Sequence, residues 1–175
     1  MRIIFGLIIF FIVNLALASE SQQPSTKSTL TVQQLAVKRV IEAETAAFMR
    51  RDYEAWDSYW VQDDSIYIGV ATPTLNEEIR DWKTYSAFTK GILAQGTITL
   101  NPATIQKTDW AFQMADTLAY VTFKENGNAS TRILKKIDGK WKLIHTGVIY
   151  TEEYKKRNAH ISTWEAREAF MKTQQ

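Results

Sequence analysis

The chain of 175 residues contains no cysteine. Without cysteine it can have no disulfide framework, thiol nucleophile, cysteine metal site or lipid-modified cysteine. Histidine, proline and glycine are also scarce, with two, three and seven residues, so collagen-like and low-complexity chains are excluded. Asp63 and Asp64 form an adjacent acidic pair, but His, Asp and Glu at ligand spacing are absent elsewhere. We therefore expect no metal and no cofactor.

Neither sign of charge dominates the sequence. Twenty-one Lys and Arg stand against 19 Asp and Glu, giving a net charge of +2. Nucleic acids and anionic membranes bind clustered basic residues, and no stretch here gathers more than three, so neither partner is expected. Apolar residues make up 45% of the chain and aromatic residues 12%, which predicts one globular domain with a sizeable core.

The one long apolar run lies at the N-terminus. Residues 3–13 are apolar, Arg2 precedes them, Asn14 ends the run, and small residues lead up to Ala18. This order is typical of a signal peptide that is cleaved after Ala18. The alternative, an uncleaved anchor, needs about 20 apolar residues. We therefore expect residues 1–18 to be removed, leaving an exported protein, periplasmic or secreted, without a stable membrane anchor.

The rest of the chain is predicted to contain a leader, one domain and a tail. Residues 19–30 are rich in Ser, Thr and Gln and predict a flexible leader. The domain is expected over residues 31–150. The charged residues 151–175 carry some apolar positions at helical spacing, which predicts a helical tail.

Periodicity within the domain changes from helical to alternating. Apolar spacing predicts a first helix through Met49, a short second helix capped by Asp52, and a third from Trp82 to Ala94. Alternation and turn residues predict five strands, over Ser65–Val70, Trp110–Met114, Leu118–Lys124, Thr131–Ile137 and Lys140–Tyr150. Helices followed by an antiparallel meander favour an α+β fold in which helices cover one face of a bent sheet.

Three stretches of the sequence resemble a known superfamily. They are Ile41–Glu44 continuing through Arg51–Trp56 to Asp63-Asp64, then Asp116–Thr122, then Asp138–His145. In this order they resemble the nuclear transport factor 2-like superfamily, in particular a secreted bacterial member of unknown function from its SnoaL-like branch. The resemblance implies a cone in which N-terminal helices pack in a strongly curved mixed or antiparallel sheet around a cavity. It also implies a homodimer, since the convex faces of such sheets commonly pair.

This superfamily includes isomerases, dehydratases, cyclases and epoxide hydrolases as well as members without known chemistry, so the fold alone does not determine function. The general base of the similar ketosteroid isomerases would fall near Ile68, within Tyr67-Ile68-Gly69, where this chain has no acidic residue. Ketosteroid isomerase chemistry is therefore not expected.

Glu44 is the first candidate site residue. It lies on the apolar stripe of the first helix, three residues after Ile41 and four before Phe48. A buried carboxyl needs a partner or becomes neutral. One interpretation is structural, a bond to a backbone group or a basic residue. The other is catalytic, because the similar ketosteroid isomerases place their oxyanion-stabilising Tyr here, and a neutral Glu can donate the same hydrogen bond.

His145 is the second candidate. It shares strand parity with Trp141 and Leu143, so simple alternation predicts that it faces the concave side. There it would work as an acid or base with Glu44 across the cone. A structural His bonded to a neighbour is the alternative.

Other residues are expected to bind the ligand. An aromatic lining is predicted from Trp60, Tyr67, Trp82, Tyr85, Trp110 and Tyr120. Arg132, within an alternating strand, is expected to pair with Glu44 or with an anionic ligand.

Three functions remain open on sequence grounds. The first is an exported small-molecule-binding domain whose apolar, aromatic-lined pocket holds a small apolar or amphipathic molecule. The second is an isomerase-, dehydratase- or cyclase-like enzyme that uses an acid–base pair. The third is a dimeric interaction scaffold. The missing base favours the first function.

Overall fold

The computed structural model describes residues 29–72, 75–94 and 101–151. The predicted signal peptide, the leader up to residue 28 and the predicted tail from residue 152 lie outside the described residues.

Three helices form where apolar spacing and capping residues predict them. Helix α1 spans Val32–Arg50, α2 spans Tyr53–Ser58 and α3 spans Trp82–Ala94. Thr31 begins α1 with a capping box. Its hydroxyl accepts a hydrogen bond from the Gln34 backbone N–H, and the Gln34 side-chain oxygen accepts one from the Thr31 backbone N–H. Asp52 begins α2 by accepting from the Ala55 backbone. No described helix is long and apolar enough to cross a membrane.

Six strands form one mixed sheet. They are β1 (Tyr67–Thr72), β2 (Leu75–Ile79), β3 (Lys107–Met114), β4 (Leu118–Glu125), β5 (Asn128–Ile137) and β6 (Lys140–Ile149). The order across the sheet is β2-β1-β6-β5-β4-β3, and only the β1–β6 pair is parallel. Strand β2 is not predicted from the sequence, because its Asn and two Glu have low strand propensity; among the described residues it pairs with β1 alone.

Two tight turns fix the order of the last three strands. Asn126 and Gly127, between β4 and β5, both have positive φ values, of 47° and 85°. Asp138 and Gly139, between β5 and β6, have values of 49° and 77°. Two consecutive positive φ values match the two-residue turn whose twist suits a β-hairpin, which confirms both predicted turns.

The helices cover one face of the sheet, which we call the inner face, and the opposite side is the outer face. Val37 and Ile41 of α1 are fully buried against inner-face residues such as Val121 and Leu134. The predicted α+β arrangement, helices packed in a curved sheet, is confirmed.

Strand β6 contains a bulge at Ile144. Leu143 pairs with Leu134 and His145 pairs with Ile133, so Ile144 has no opposite residue. The bulge lies where β6 changes neighbours. Before the bulge, the Leu143 backbone N–H donates to the Tyr59 carbonyl, and the Leu143 carbonyl accepts from the Val61 N–H. After the bulge, His145 pairs with Tyr67 of β1. As a result, residues after the bulge face the side opposite to that predicted by simple alternation.

Truncation of Leu134 tests the assignment of the inner face. Leu134 is fully buried, whereas Leu118 on β4 is 45% exposed. We expect Leu134→Ala to lower the free energy of unfolding by about 2–5 kcal/mol, because it opens a cavity in the core. The matched Leu118→Ala should change it by less than about 0.5 kcal/mol. Urea denaturation of the two variants measures both values, and equal losses would contradict the assignment.

Candidate functional site

Glu44 lies on the buried side of α1, as its spacing predicts. Only 7% of the residue is exposed. Trp56 of α2 donates from Nε1 to Glu44 Oε1 over 2.8 Å. This donor is neither of the partners predicted for a structural role, a backbone group or a basic residue, and it joins the first two helices.

The second Glu44 oxygen lies beside the Thr45 hydroxyl. Thr45 Oγ1 lies 3.0 Å from the Ile41 carbonyl oxygen and 3.3 Å from Glu44 Oε2. A hydroxyl carries a single hydrogen, and the shorter contact is the one with the Ile41 carbonyl. A protonated Glu44 can donate to Thr45, and the second contact is then satisfied as well.

The pKa of Glu44 follows from its surroundings. Burial raises the pKa of this carboxyl, and the positive charge of Arg132 is the largest opposing influence. The hydrogen bond from Trp56 and the charge of Lys107 also lower the pKa, whereas the charge of Glu125 raises it. The net direction is upward, so at a given pH Glu44 is protonated more often than an exposed glutamate.

Three further charged side chains lie on the inner face near Glu44. Lys107 Nζ is 2.9 Å from Glu125 Oε2, and Arg132 Nη2 is 3.8 Å from the same oxygen. Lys107 and Glu125 are directly opposite each other across β3 and β4. We call Glu44, Lys107, Glu125 and Arg132 the inner charge cluster. The predicted partner of Arg132 was Glu44 or an anionic ligand, and the structure shows that its nearest ion-pair partner is Glu125.

Arg132 and Ser130 hold donors without protein partners. Arg132 Nη1 donates to the Thr131 carbonyl over 3.0 Å and approaches the Gly147 carbonyl at 3.5 Å. Arg132 Nε and Ser130 Oγ, both buried, have no hydrogen-bond partner among the described residues. The two residues lie two positions apart on β5 and are only 6% and 3% exposed, so both side chains lie on the inner face. Buried donors without partners are rare in folded proteins, so each one calls for an explanation such as a catalytic role or a bound water, ion or ligand.

Three predicted aromatic residues come together on the helical side. Trp60, Trp82 and Tyr85 surround Trp56, with ring centroids 5.8, 5.7 and 5.3 Å from its ring. The Nε1 of Trp60 is buried without a hydrogen-bond partner among the described residues. These rings form an apolar wall next to the carboxyl that Trp56 binds.

Trp110 lies elsewhere in the interior. It stacks on Phe123 at 4.6 Å, and Phe123 also lies beneath Lys107 and Arg132, 5.8 and 5.3 Å from its ring centroid. Trp110 is therefore connected to the inner charge cluster through Phe123, apart from the rings around Trp56.

His145 does not face Glu44, and the predicted acid–base pair across the cone is not formed. The bulge at Ile144 shifts the alternation of β6, so Thr146 and Val148 are buried and His145 points to the outer face. Its ring stacks on Tyr67, with centroids 5.3 Å apart. Burial lowers the pKa of His145, and a hydrogen bond with the Tyr67 backbone partly opposes this shift.

Tyr67 and Tyr120 also lie on the outer face rather than in an interior lining. Tyr120, Ile133, His145 and Tyr67 form one row of paired residues across four strands. Tyr120 is 39% exposed, and the Tyr67 hydroxyl donates to Glu78 Oε2 over 2.9 Å. The pairing of two subunits over this face stays a prediction.

Sequence reasoning missed Lys107, Glu125 and Ser130. Alternation could have placed Ser130 and Glu125 on the inner face, because Ser130 shares strand parity with Leu134 and Glu125 shares it with Phe123. Lys107 has no such signal. A bulge between Thr108 and Ala111 shifts the alternation of β3, so Lys107 reaches the inner face despite its parity. Within the described ranges, no three His, Asp or Glu side chains are grouped to hold a metal.

Glu44→Gln is expected to stabilise the protein more strongly as pH rises. A raised pKa means that the contribution of Glu44 to stability is full at low pH and is lost as pH increases through its folded value. Gln keeps an acceptor for Trp56 and cannot ionise. Between about pH 5 and about pH 8, the variant should gain on the wild type by at most about 1.4 kcal/mol per pH unit.

Urea denaturation of both proteins across this range measures the gain. Groups common to the two proteins, His145 among them, cancel in the difference. Glu42→Gln, on the exposed side of α1, is the matched control and should change stability by less than about 0.5 kcal/mol at every pH. A Glu44→Gln difference that stays constant or falls with pH would contradict a raised pKa of Glu44.

Comparison with known proteins supports one family. Three similar solved structures are nuclear transport factor 2-like proteins. One from Pseudomonas putida, of unknown function, has a TM-score of 0.55 at 15% identity and covers 69% of this chain and 87% of its own. One from Shewanella oneidensis, also of unknown function, has a TM-score of 0.50 at 11% identity and covers 67% and 99%.

The third, a candidate dehydratase from Streptomyces avermitilis, has a TM-score of 0.51 at 19% identity and covers 66% of this chain and 93% of its own. At these identities the three structures show the shared fold alone. No curated protein matches the chain. The SnoaL-like domain family matches residues 37–148. Because this match covers more than half of the chain and the fold agrees, the protein belongs to the SnoaL-like family of the nuclear transport factor 2-like superfamily.

Proposed function

We propose that this protein is an exported small-molecule-binding domain. The ligand would lie between α1 and the inner face of the sheet, in contact with Arg132, Ser130 and Glu44. Export is the prediction made from residues 1–18, whose apolar run and small residues fit a cleaved signal peptide.

The unpartnered donors on β5 carry this proposal. Leaving a buried donor without an acceptor costs about 1–3 kcal/mol, and more for a charged group. Arg132 Nε and Ser130 Oγ are two such donors on one side of one strand, beside a buried carboxyl. A bound ligand with an acceptor oxygen would remove that cost, whereas a purely structural interior gains nothing from keeping both donors unpaired.

Apolar groups around these donors support a ligand with an apolar body. Val121 lies opposite Arg132, and Phe123 and Val148 flank Ser130, all of them buried. Binding sites for small molecules combine such apolar walls with a few polar groups that fix orientation.

Ligand screening by thermal shift tests the proposal. The full chain, including residues 1–18, is expressed. Export is checked by intact-mass spectrometry, which should give the mass of a chain that begins at Ser19. Small aromatic and aliphatic molecules of differing charge are then screened. For a molecule that binds in the interior, we expect a raised Tm and a shifted indole N–H resonance of Trp56.

Two hydroxyl variants on β5 test the location of that binding. Ser130→Ala should weaken binding by about tenfold, because the bound oxygen loses a buried donor. The matched Thr131→Ala, on the opposite face of the same strand, should leave the affinity unchanged. If no molecule binds, or if the two variants weaken binding equally, the interior site is refuted.

Acid catalysis is the second candidate function, and Glu44 favours it. A carboxyl whose pKa is raised by burial is a suitable proton donor, and Trp56 fixes its orientation. One of the similar structures is described as a candidate dehydratase, and dehydration requires proton transfer to a leaving oxygen. In this chain His145 is not available as the partner base, since it lies on the outer face.

Glu44→Gln separates catalysis from binding. If the protein is an enzyme, a ligand found by the screen is converted by the wild type, and the variant loses this conversion by about 100-fold or more while still binding the molecule. Product formation is followed by mass spectrometry. A ligand that the wild type leaves unchanged over days, or one that the variant converts at the wild-type rate, contradicts a catalytic role for Glu44.

A further inference from the structure

We propose that the ligand of the inner site is an amphipathic carboxylate, held by the free edge of the Arg132 guanidinium together with the Ser130 hydroxyl. This inference rests on the proposed function and specifies the chemical class of its ligand.

The charge balance of the inner charge cluster favours an anion. Lys107 and Glu125 form an ion pair at 2.9 Å, although Glu125 Oε2 makes no hydrogen bond with any described residue, and their charges cancel, which leaves Arg132 and Glu44. When Glu44 carries its proton, the cluster keeps a net charge of +1. A net charge in the interior is costly unless an opposite charge is bound beside it. A ligand carboxylate supplies that charge, whereas a cation adds to the imbalance and a neutral molecule leaves it uncorrected.

The geometry of Arg132 also favours a carboxylate. Nη1 is directed at the backbone carbonyls of Thr131 and Gly147. The opposite edge, with Nε and Nη2, has only the 3.8 Å approach to Glu125, and Nε has no partner among the described residues. Two parallel N–H groups on one edge of a guanidinium match the two oxygens of a carboxylate. Ser130 Oγ, two residues earlier on the same face, adds a third donor.

The protonation state of Glu44 should make carboxylate binding depend on pH. The charged and polar groups that face it are Arg132 from β5, Glu125 from β4, Lys107 from β3, Trp56 from α2 and Thr45 from α1 itself. An ionised Glu44 competes with a ligand carboxylate for Arg132 and repels it. The affinity for a carboxylate should therefore fall as pH rises and Glu44 loses its proton.

Calorimetry with a matched charge series tests the ligand class. The first set of probes is phenylacetate, phenylacetamide and phenethylamine, and the second is decanoate, decanamide and decylamine. Each is titrated into the protein purified after expression of the full chain. We expect at least one of the two acids to bind at least about tenfold more tightly than its amide, and neither amine to bind. In the wild type, the affinity for that acid should decrease toward higher pH, and in Glu44→Gln it should stay level.

Variants of the two donors complete the test. Arg132→Lys keeps the charge but loses the paired N–H groups, so it should weaken acid binding by about tenfold or more. Since a change at Arg132 can also unfold the protein, Ser130→Ala is the second variant and Thr131→Ala its matched control. Only Ser130→Ala is expected to weaken binding of the acid.

The results distinguish this inference from the proposed function. If an amide or an amine binds as tightly as its acid, or the screen yields only uncharged or cationic ligands for the interior, the carboxylate inference is overturned and the binding function stands. If neither the acids nor any screened molecule binds, both are overturned.

Discussion

The hydrogen bond from Trp56 to the buried carboxyl of Glu44 organises the helical half of the molecule. A carboxyl on the buried side of a helix is tolerated only with a partner. The partner comes from α2, and the same indole ring stacks on Trp82 of α3, with centroids 5.7 Å apart. One side chain therefore connects the three helices that the structure describes. Replacing Trp56 with an aliphatic residue would remove the hydrogen bond to Glu44 Oε1 and the ring contacts with α3.

The sheet provides the other half of the same environment. Arg132, Lys107 and Glu125 lie on three neighbouring strands, and their charges act on the protonation of Glu44. Structural and functional interpretations of Glu44 therefore overlap. Trp56 gives the carboxyl a hydrogen-bond partner. The charges of the sheet act on the same carboxyl, and two unpartnered donors lie on β5 in the same interior.

Two bulges decide which charged groups enter this environment. The irregularity in β3 turns Lys107 inward, and the extra residue Ile144 in β6 turns His145 outward. Without the second bulge, an imidazole would face the interior where Thr146 now lies.

The sequence by itself determined the local features of this protein. Helical spacing located α3 at Trp82–Ala94 and placed Glu44 on a buried stripe, turn residues located two hairpins, and three motifs indicated the superfamily. These features depend on residues close together in the chain, where steric preferences and periodicity act directly. The tertiary structure decided which faces the strands present. The bulge in β6 lies where this strand changes its hydrogen-bonded neighbour, from residues 59–61 to β1, and these neighbours are distant in sequence. For this reason alternation alone misplaced His145, and a separate bulge in β3 hid Lys107. Tyr67 and Tyr120 lie on strands that alternate regularly, and it was their aromatic character, not alternation, that suggested the interior lining.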